Sequence, residues 1–524
     1  MRTMRNVNHS AFPLGRHWLP ALMLLSGVVR AGPIDPQNPP HRRFADDWAE
    51  IFMAGAKVGY AHSTMARDGD MIHTGMDMKV RVGRAGQTVS LSILQTTTET
   101  LAGKPAHFQS TMDMSVMKTT TKGTVSDGKV TIVSSQYGMD KTQTFDFPAG
   151  ALMTWGAFRE SLLRGFKPGT QYTLKMYAPE LRMDDAVSAK TLVGEWESFE
   201  HRGRFSRGQK VIVALESPLG SIEMTSWVDQ HGQPLKAKIP MPGLGDMELI
   251  TTDQPAAVAD FVPPEIFMTT VIKAKRKINP ESTRRITYRI RAIDPAAELG
   301  SLPTTGMQTP KEQSDRSVEL VVTRQSHVPR ADGAGDTVRD PGAEYLGGNL
   351  MMNTDDPKLV ELAKQASGGE KAPFALADKL RRFVTDYVQM KSMNIGFATA
   401  SEVARTKEGD CSEHGVLLAA LGRLNGLPSR VVAGLAYVPS FGGQDDIFGY
   451  HMWTQFFIDG RWIDVDAALE ETQCSPCRIA LASSSLRDCG LADLSLPLIS
   501  RIGGIDIDIL EVSESAPKAP ADSR

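Results

Sequence analysis

The chain has 524 residues, 41% of them hydrophobic and 23% charged, with a formal net charge of -3. That length holds roughly two to four domains, and the balance is ordinary for a folded globular protein. A charge so near zero excludes the polybasic field of a nucleic-acid binder, and past the N-terminal leader no apolar run is long enough to span a bilayer.

The N-terminus reads as a secretory leader. Arg2, Arg5, Arg16 and His17 are basic, and Trp18 to Val29 is apolar but short for a membrane span. Val29-Arg30-Ala31 offers small residues for cleavage after Ala31. Residues 1–31 are therefore expected to be a signal peptide. The mature chain is expected in the periplasm of a Gram-negative source, with no transmembrane segment. Residues 32–45 are rich in proline and polar groups and read as a linker.

Residues 46–253 carry a β pattern. Met76, Met78 and Val80 alternate with Asp77 and Lys79; Leu91 and Ile93 alternate with Ser90 and Ser92; Val211, Val213 and Leu215 repeat the rhythm. Such alternation predicts an antiparallel sheet with one wet face, a large open sheet or half-barrel. Ala151 to Arg164 reads as its one helix, packed on the concave side. The 25 methionines are dispersed and read as core filler. Pro255, Pro263 and Pro264 mark a boundary. Alternating runs around Tyr288 and Leu320 then predict a small β-sandwich over 265–327, and the glycine-rich stretch 328–341 reads as a flexible linker.

Helices begin in the segment 345–512. Asp355-Asp356-Pro357 is a start signal, with Gly368-Gly369 as the stop, and a second helix is expected from Pro373 to about Met390. Cys411 follows Asp410, a side chain suited to cap a helix, and Val416, Leu417, Ala420, Leu421 and Leu424 recur at helical spacing up to Asn425-Gly426. Cys411 thus falls in a first turn, where free N–H groups and the helix dipole favour a thiolate. Glu408, Asp410 and Glu413 oppose it. Further on, Asp459-Gly460 is a two-residue hairpin turn. It pairs Ile458 with Arg461 and so sets Trp453 opposite Asp466 and His451 opposite Ala468. His451, Trp453 and Asp466 then share one face. His451 and Asp466 are diagonal neighbours, about 7–8 Å apart at the backbone, within reach of a carboxylate–imidazole bond. Asp464 shares that facing and is the fallback partner. Asp506 to Val512 reads as a last strand, and 513–524 as a disordered tail.

The segment Gly409 to Asp466 resembles the transglutaminase-like domain of bacterial proteins, a branch of the papain-like fold. The matching residues are Gly409-Asp410-Cys411, the run Leu417 to Tyr437, His451-Met452-Trp453, Trp462 and Asp466. Where the family has Pro-Thr after its aspartate, this chain has Ala467-Ala468. The resemblance covers about 345–512. It implies an α+β papain-like catalytic domain behind two β-rich domains, with Cys411 as nucleophile, His451 as base and Asp466 as the third member. The activity it implies is attack on amide bonds of peptides or proteins through an acyl-thioester. Water is the favoured acceptor over an amine, being the commonest one in an exposed site. No cofactor and no metal are expected, and no oxygen-ligand run for calcium stands in the chain. The alternative is a catalytically silent version of the fold serving as a periplasmic binding or scaffold protein, with a partner for the N-terminal β domain.

Several residues near the motif invite a second role. Trp453, Tyr450 and His414 are candidates to line the substrate site, although core packing is the plainer reading of each. His414, one turn along the helix from Cys411, also competes for the role of base. Cys474, Cys477 and Cys489 cluster in an exported chain and are expected to form one disulfide of open pairing, with Cys411 reduced. A rival grouping of Cys411 and His414 with Cys474 and Cys477 has zinc-site spacing, but it leaves His451 and Asp466 unexplained.

Overall fold

The computed structural model describes residues 34–515 apart from 85–86, 115–116, 137–138, 181, 202, 218–219, 242–244, 295–298, 315, 326–340, 392–396, 488–493, 495–497 and 499–500. The expected signal peptide, most of the flexible linker, Cys489 and the tail past 515 lie outside the described residues. The chain divides into two units, with the boundary between Ile266 and Phe267.

The first unit is a fourteen-stranded antiparallel sheet. Its first eight strands follow one another as hairpins from Arg42–Met53 to Met139–Asp146, and its last six from Gln171–Met176 to Gly245–Thr252. Arg42–Met53 pairs with Gly245–Thr252 and joins the two series. The first strand begins inside the stretch expected to be a linker, because Arg42 and Arg43 already pair with Arg67 and Ala66. Met76, Met78, Val80, Leu91, Ile93, Val211, Val213 and Leu215 are buried, as their alternation predicts. The helix Thr154–Arg164 carries the chain from one edge strand to the other. Its Trp155 and Phe158 pack with Phe44, Ala45, Met65 and Ile72 on the buried face. On the same sheet a cavity of about 480 Å3 lies between Tyr60, Lys79 and Arg81 and the segment around Phe261. Its charges are largely paired internally: Arg81 meets Asp260 at 2.6 Å and stacks on the Phe261 ring at 4.5 Å.

Glu99, fully buried, anchors that helix. It accepts from the amides of Trp155 and Gly156 at 2.7 and 2.8 Å and from Thr97 Oγ1 at 2.8 Å. Burial pushes its carboxyl up from 4.5 to about 7, against the pull of those bonds. Folded Glu99 therefore keeps its proton to a higher pH than unfolded Glu99. Glu99 alone should cost the unit about 3 kcal/mol of stability as pH rises from about 4.5 to about 7, and nothing further above. Asp47, pushed to about 8 by burial and by Asp46, adds to the same slope. Chemical unfolding of Glu99→Gln across this window should show a shallower slope than the wild type; an unchanged slope would refute the assignment.

The second unit combines two sheets and a helical layer. One sheet orders Ile272–Lys273, Gln444–Ile458, Ser429–Phe441 and Arg478–Ser484, with Arg461–Val465 also paired to Gln444–Ile458. Against it lie the helices Pro357–Ser367, Pro373–Tyr387, Ala400–Thr406 and Cys411–Leu424. Asp356 caps the first through Lys358 N at 2.9 Å, and Gly368 ends it in the left-handed region. The second stops at Tyr387, short of the expected Met390. The third was not anticipated, although its Thr399-Ala400-Ser401-Glu402 start is a capping box in sequence as well as in structure.

The other sheet orders Gln308–Gln313, Ser317–Thr323, Thr283–Ala292 and Ile505–Glu514. The segment expected to form a separate small sandwich therefore provides one sheet whose outer strand comes from the C-terminus. Nor does it stand apart from the segment 345–512. Gln308 exchanges two hydrogen bonds with the Ala480 backbone at 2.9 and 2.8 Å, and buried Tyr288 donates to Pro476 O at 3.0 Å while meeting Phe448 edge-on at 5.9 Å. Alternation alone predicts a half-buried strand and does not say which partner covers it. Among the described residues no helix is long and apolar enough to cross a membrane.

Candidate active site

The helix Cys411–Leu424 presents Cys411 as its first residue, and the cysteine has no exposed surface. Asp410 caps it through Ser412 N at 3.0 Å, and Glu413 reaches back to Asp410 N at 2.9 Å and across to Ala398 N at 2.8 Å. Burial, with Asp410 beside it, pushes Glu413 well above the ordinary carboxylic range. Burial beside Asp410 thus disfavours a second charge there, and the opposition expected from Glu413 to a thiolate is weakened. Met452 N donates to Cys411 Sγ at 3.2 Å, a bond that strengthens if the sulfur is ionised. The thiol therefore meets the neighbouring strand one residue from His451.

That strand turns at Asp459-Gly460, whose φ values of 50° and 73° match the expected hairpin turn. Ile458 pairs with Arg461 and Thr454 with Val465, the register read from the turn. His451 Nε2 and Asp466 Oδ2 lie 2.7 Å apart, both residues 1% exposed. An ionised carboxylate only accepts, so Nε2 carries the hydrogen and Nδ1 is left as the proton acceptor. The second Asp466 oxygen accepts from the amides of Ala468 and Leu469 at 3.0 and 2.9 Å. Burial would raise this carboxyl, but the His451 and Arg478 charges and these bonds outweigh it and hold Asp466 well below the usual carboxylate range. Ala467-Ala468 thus does the turn's work through backbone amides.

Arg478, absent from the candidates read in the sequence, completes the cluster. Its Nη1 donates to Asp466 Oδ2 at 3.0 Å, its Nη2 to Glu471, and its Nε to Ser475 O at 3.3 Å. Its guanidinium lies 5.2 Å over the Trp453 ring. The sequence signal was an arginine opening the apolar strand Arg478–Ser484. Gly434, paired with His451, leaves room for this stack: a Cβ there would sit 2.9 Å from the Trp453 ring and 2.0 Å from the Ile479 carbonyl oxygen.

The three candidates for substrate contact are engaged in the fold. Trp453 is buried, stacks near the His451 ring at 6.1 Å and donates through Nε1 to Asp464. Asp464 therefore serves the indole, while Asp466 serves His451. Tyr450 points to the other side of its strand, as period two requires, and its hydroxyl donates to Arg501 O at 3.0 Å. His414 Nδ1 lies 2.5 Å from Asp410 O, on its own helix. Cys474 and Cys477 are buried free thiols rather than a pair with each other, and Cys489 lies outside the described residues. Burial pushes the Cys474 thiol well up and the Cys477 thiol to about 12, so neither is reactive here. Among the described residues no three His, Cys, Asp or Glu side chains gather as a metal site, and the zinc-spaced set of Cys411, His414, Cys474 and Cys477 is not assembled.

Comparison with known proteins adds to this geometry. No curated protein matches the chain. Two solved structures are similar: a putative cysteine protease from Cytophaga hutchinsonii, at 17% identity over 44% of this chain and 86% of that one, with a TM-score of 0.26, and a putative protease from Parabacteroides distasonis, at 9% identity over 74% and 66%, with a TM-score of 0.18. The family model of the Transglutaminase-like superfamily matches residues 360–467, a stretch that holds Cys411, His451 and Asp466. The second unit of this chain therefore carries a transglutaminase-like domain.

Proposed function

We propose that the protein is a thiol enzyme that cleaves amide bonds of peptides or proteins. One observation carries the reading: a cysteine at a helix start lies one hydrogen bond from the strand whose His451 is held by Asp466 at 2.7 Å. Nδ1 of His451 takes the thiol proton as sulfur attacks the carbonyl carbon. The same nitrogen returns that proton to the amine as the C–N bond breaks, leaving an acyl-thioester on Cys411. Water, deprotonated by His451, then attacks the thioester and releases the acid and the thiol. An amine in place of water gives transfer instead. The basic and apolar start of the chain supports export to the periplasm as part of this proposal.

The silent alternative draws on one fact, the absence of exposed surface on Cys411. Site-resolved alkylation separates the two readings. Cys411 in the native protein at pH 7 should react with iodoacetamide about tenfold or more faster than a free cysteine, because a paired thiolate is present where a free thiol is mostly protonated. Alkylation no faster than that of free cysteine, together with no loss of acyl transfer in Cys411→Ala, would overturn the enzymatic reading.

A further inference from the structure

We propose that Arg478 is a positioning residue of this thiol site: it fixes the Asp466 carboxylate against His451 and offsets its charge, so that the ring can release a proton as well as hold one. The inference rests on the reading of Cys411, His451 and Asp466 just given.

The geometry argues it. A carboxylate buried alone beside a histidine would bind the imidazolium so firmly that the ring could not pass its proton to a leaving amine. Here the same Asp466 oxygen takes His451 at 2.7 Å and Arg478 at 3.0 Å. Asp466 and Glu471 flank Arg478: with a neutral ring this linked set carries one net negative charge and with a charged ring it cancels, whereas without Arg478 two carboxylates would stand against the imidazolium. Arg478 is itself 3% exposed and fixed by Glu471, Ser475 O and the Trp453 face, so its charge cannot move away. The same indole stacks with the His451 ring at 6.1 Å, which ties the guanidinium, the indole and the imidazole into one stack.

The other charged or titrating groups around the ring come from every neighbouring element. The helix start brings Cys411, Asp410, His414 and Glu413, whose ionisation burial disfavours. The aspartate strand and following turn bring Asp464, Glu471 and Cys474. From the strand Ser429–Phe441, Arg430 reaches Gln455 at 2.7 Å beside Asp464. From the helix Pro373–Tyr387, Asp378 and Arg381 hold Thr472. Within this set Arg478 is the cation bonded to Asp466.

The test is the pH profile of Cys411 alkylation by iodoacetamide, resolved by peptide mass spectrometry on the full-length protein. The wild type should show two steps, the lower for ionisation of Cys411 opposite a charged His451 and the upper for loss of the His451 proton. In Arg478→Gln the upper step should move up by about one pH unit or more, because a positive charge next to the pair is gone. In Arg478→Lys it should stay within about a third of that shift, while the acyl-transfer rate falls, since an ammonium cannot span both Asp466 and Glu471. In Asp466→Asn it should move down. An upper step unmoved in Arg478→Gln, with both Arg478 variants folded by circular dichroism, would refute the proposal, and so would an equal shift in Arg478→Lys. If wild-type Cys411 shows no two-step profile at all, the thiol reading itself falls.

Discussion

His451→Ala is expected to lower the acylation of Cys411 by about a thousandfold, read as p-nitrophenolate released from p-nitrophenyl acetate, with the fold intact. In the proposed mechanism the ring supplies the base for the attack and the acid for the departure, and a positioned base of this kind contributes about 10^2–10^4. Cys411→Ala should abolish the release, since no other described thiol is both ionisable and near the pair. Asp466→Asn should cost less in rate, about ten- to a hundredfold, because an amide still holds the ring but no longer stabilises its charge. Its cost to stability should be the larger of the two, about 3 kcal/mol, because it leaves Arg478 buried with only Glu471 as a charged partner. A His451→Ala protein that releases p-nitrophenolate within threefold of the wild-type rate would end the assignment of His451 as base.

The largest loss of stability is expected from Trp453→Ala. The indole is 1% exposed, packs with Val432 and Ala480, and lies against both the His451 ring and the Arg478 guanidinium. Truncation opens a cavity costing about 3–5 kcal/mol. It also removes a donor from Asp464, which burial has already pushed above its ordinary range and which keeps Gln455 Nε2 at 3.0 Å. Trp453→Phe keeps most of the volume and should cost about 1–3 kcal/mol, mainly the lost indole bond. Denaturant unfolding of the two variants decides it. A Trp453→Ala protein within about 1 kcal/mol of wild type would show that the stack is ornamental.

The parts of this site that could be read from the sequence are those set by local chemistry. Asp459-Gly460 dictates a tight turn, the turn dictates register, and register put His451 and Asp466 on one face before any coordinates. Asp410 and the apolar period placed Cys411 at a helix start. Arg478 escaped because its partner is chosen across the sheet: its strand pairs with Ser429–Phe441, so nothing in its own neighbourhood announces Asp466. Tyr450 was grouped with His451 by adjacency, although adjacent strand residues face opposite ways. The upward push on the Glu413 carboxyl comes from burial, which sequence does not show. In the sheet around Tyr288, alternation identified the runs at Tyr288 and Leu320 and the last strand, but not the partner of that last strand, which could have paired anywhere, nor the strand Gln308–Gln313.

That last strand bears on how the second unit comes into being. Thr283–Ala292 waits between Ser317–Thr323 and a neighbour, Ile505–Glu514, that lies far along the chain. Until that neighbour is made, one edge of the strand bears unpaired amides and carbonyls, open to the wrong partner. Closing so long a loop is slow, and the sheet cannot finish until residues 505–514 have joined it. A fragment cut to residues 360–467 would lack the whole sheet around Tyr288 and the Arg478 clamp, and a chain ended before Ile505 would leave Thr283–Ala292 without the backbone partner on one of its edges.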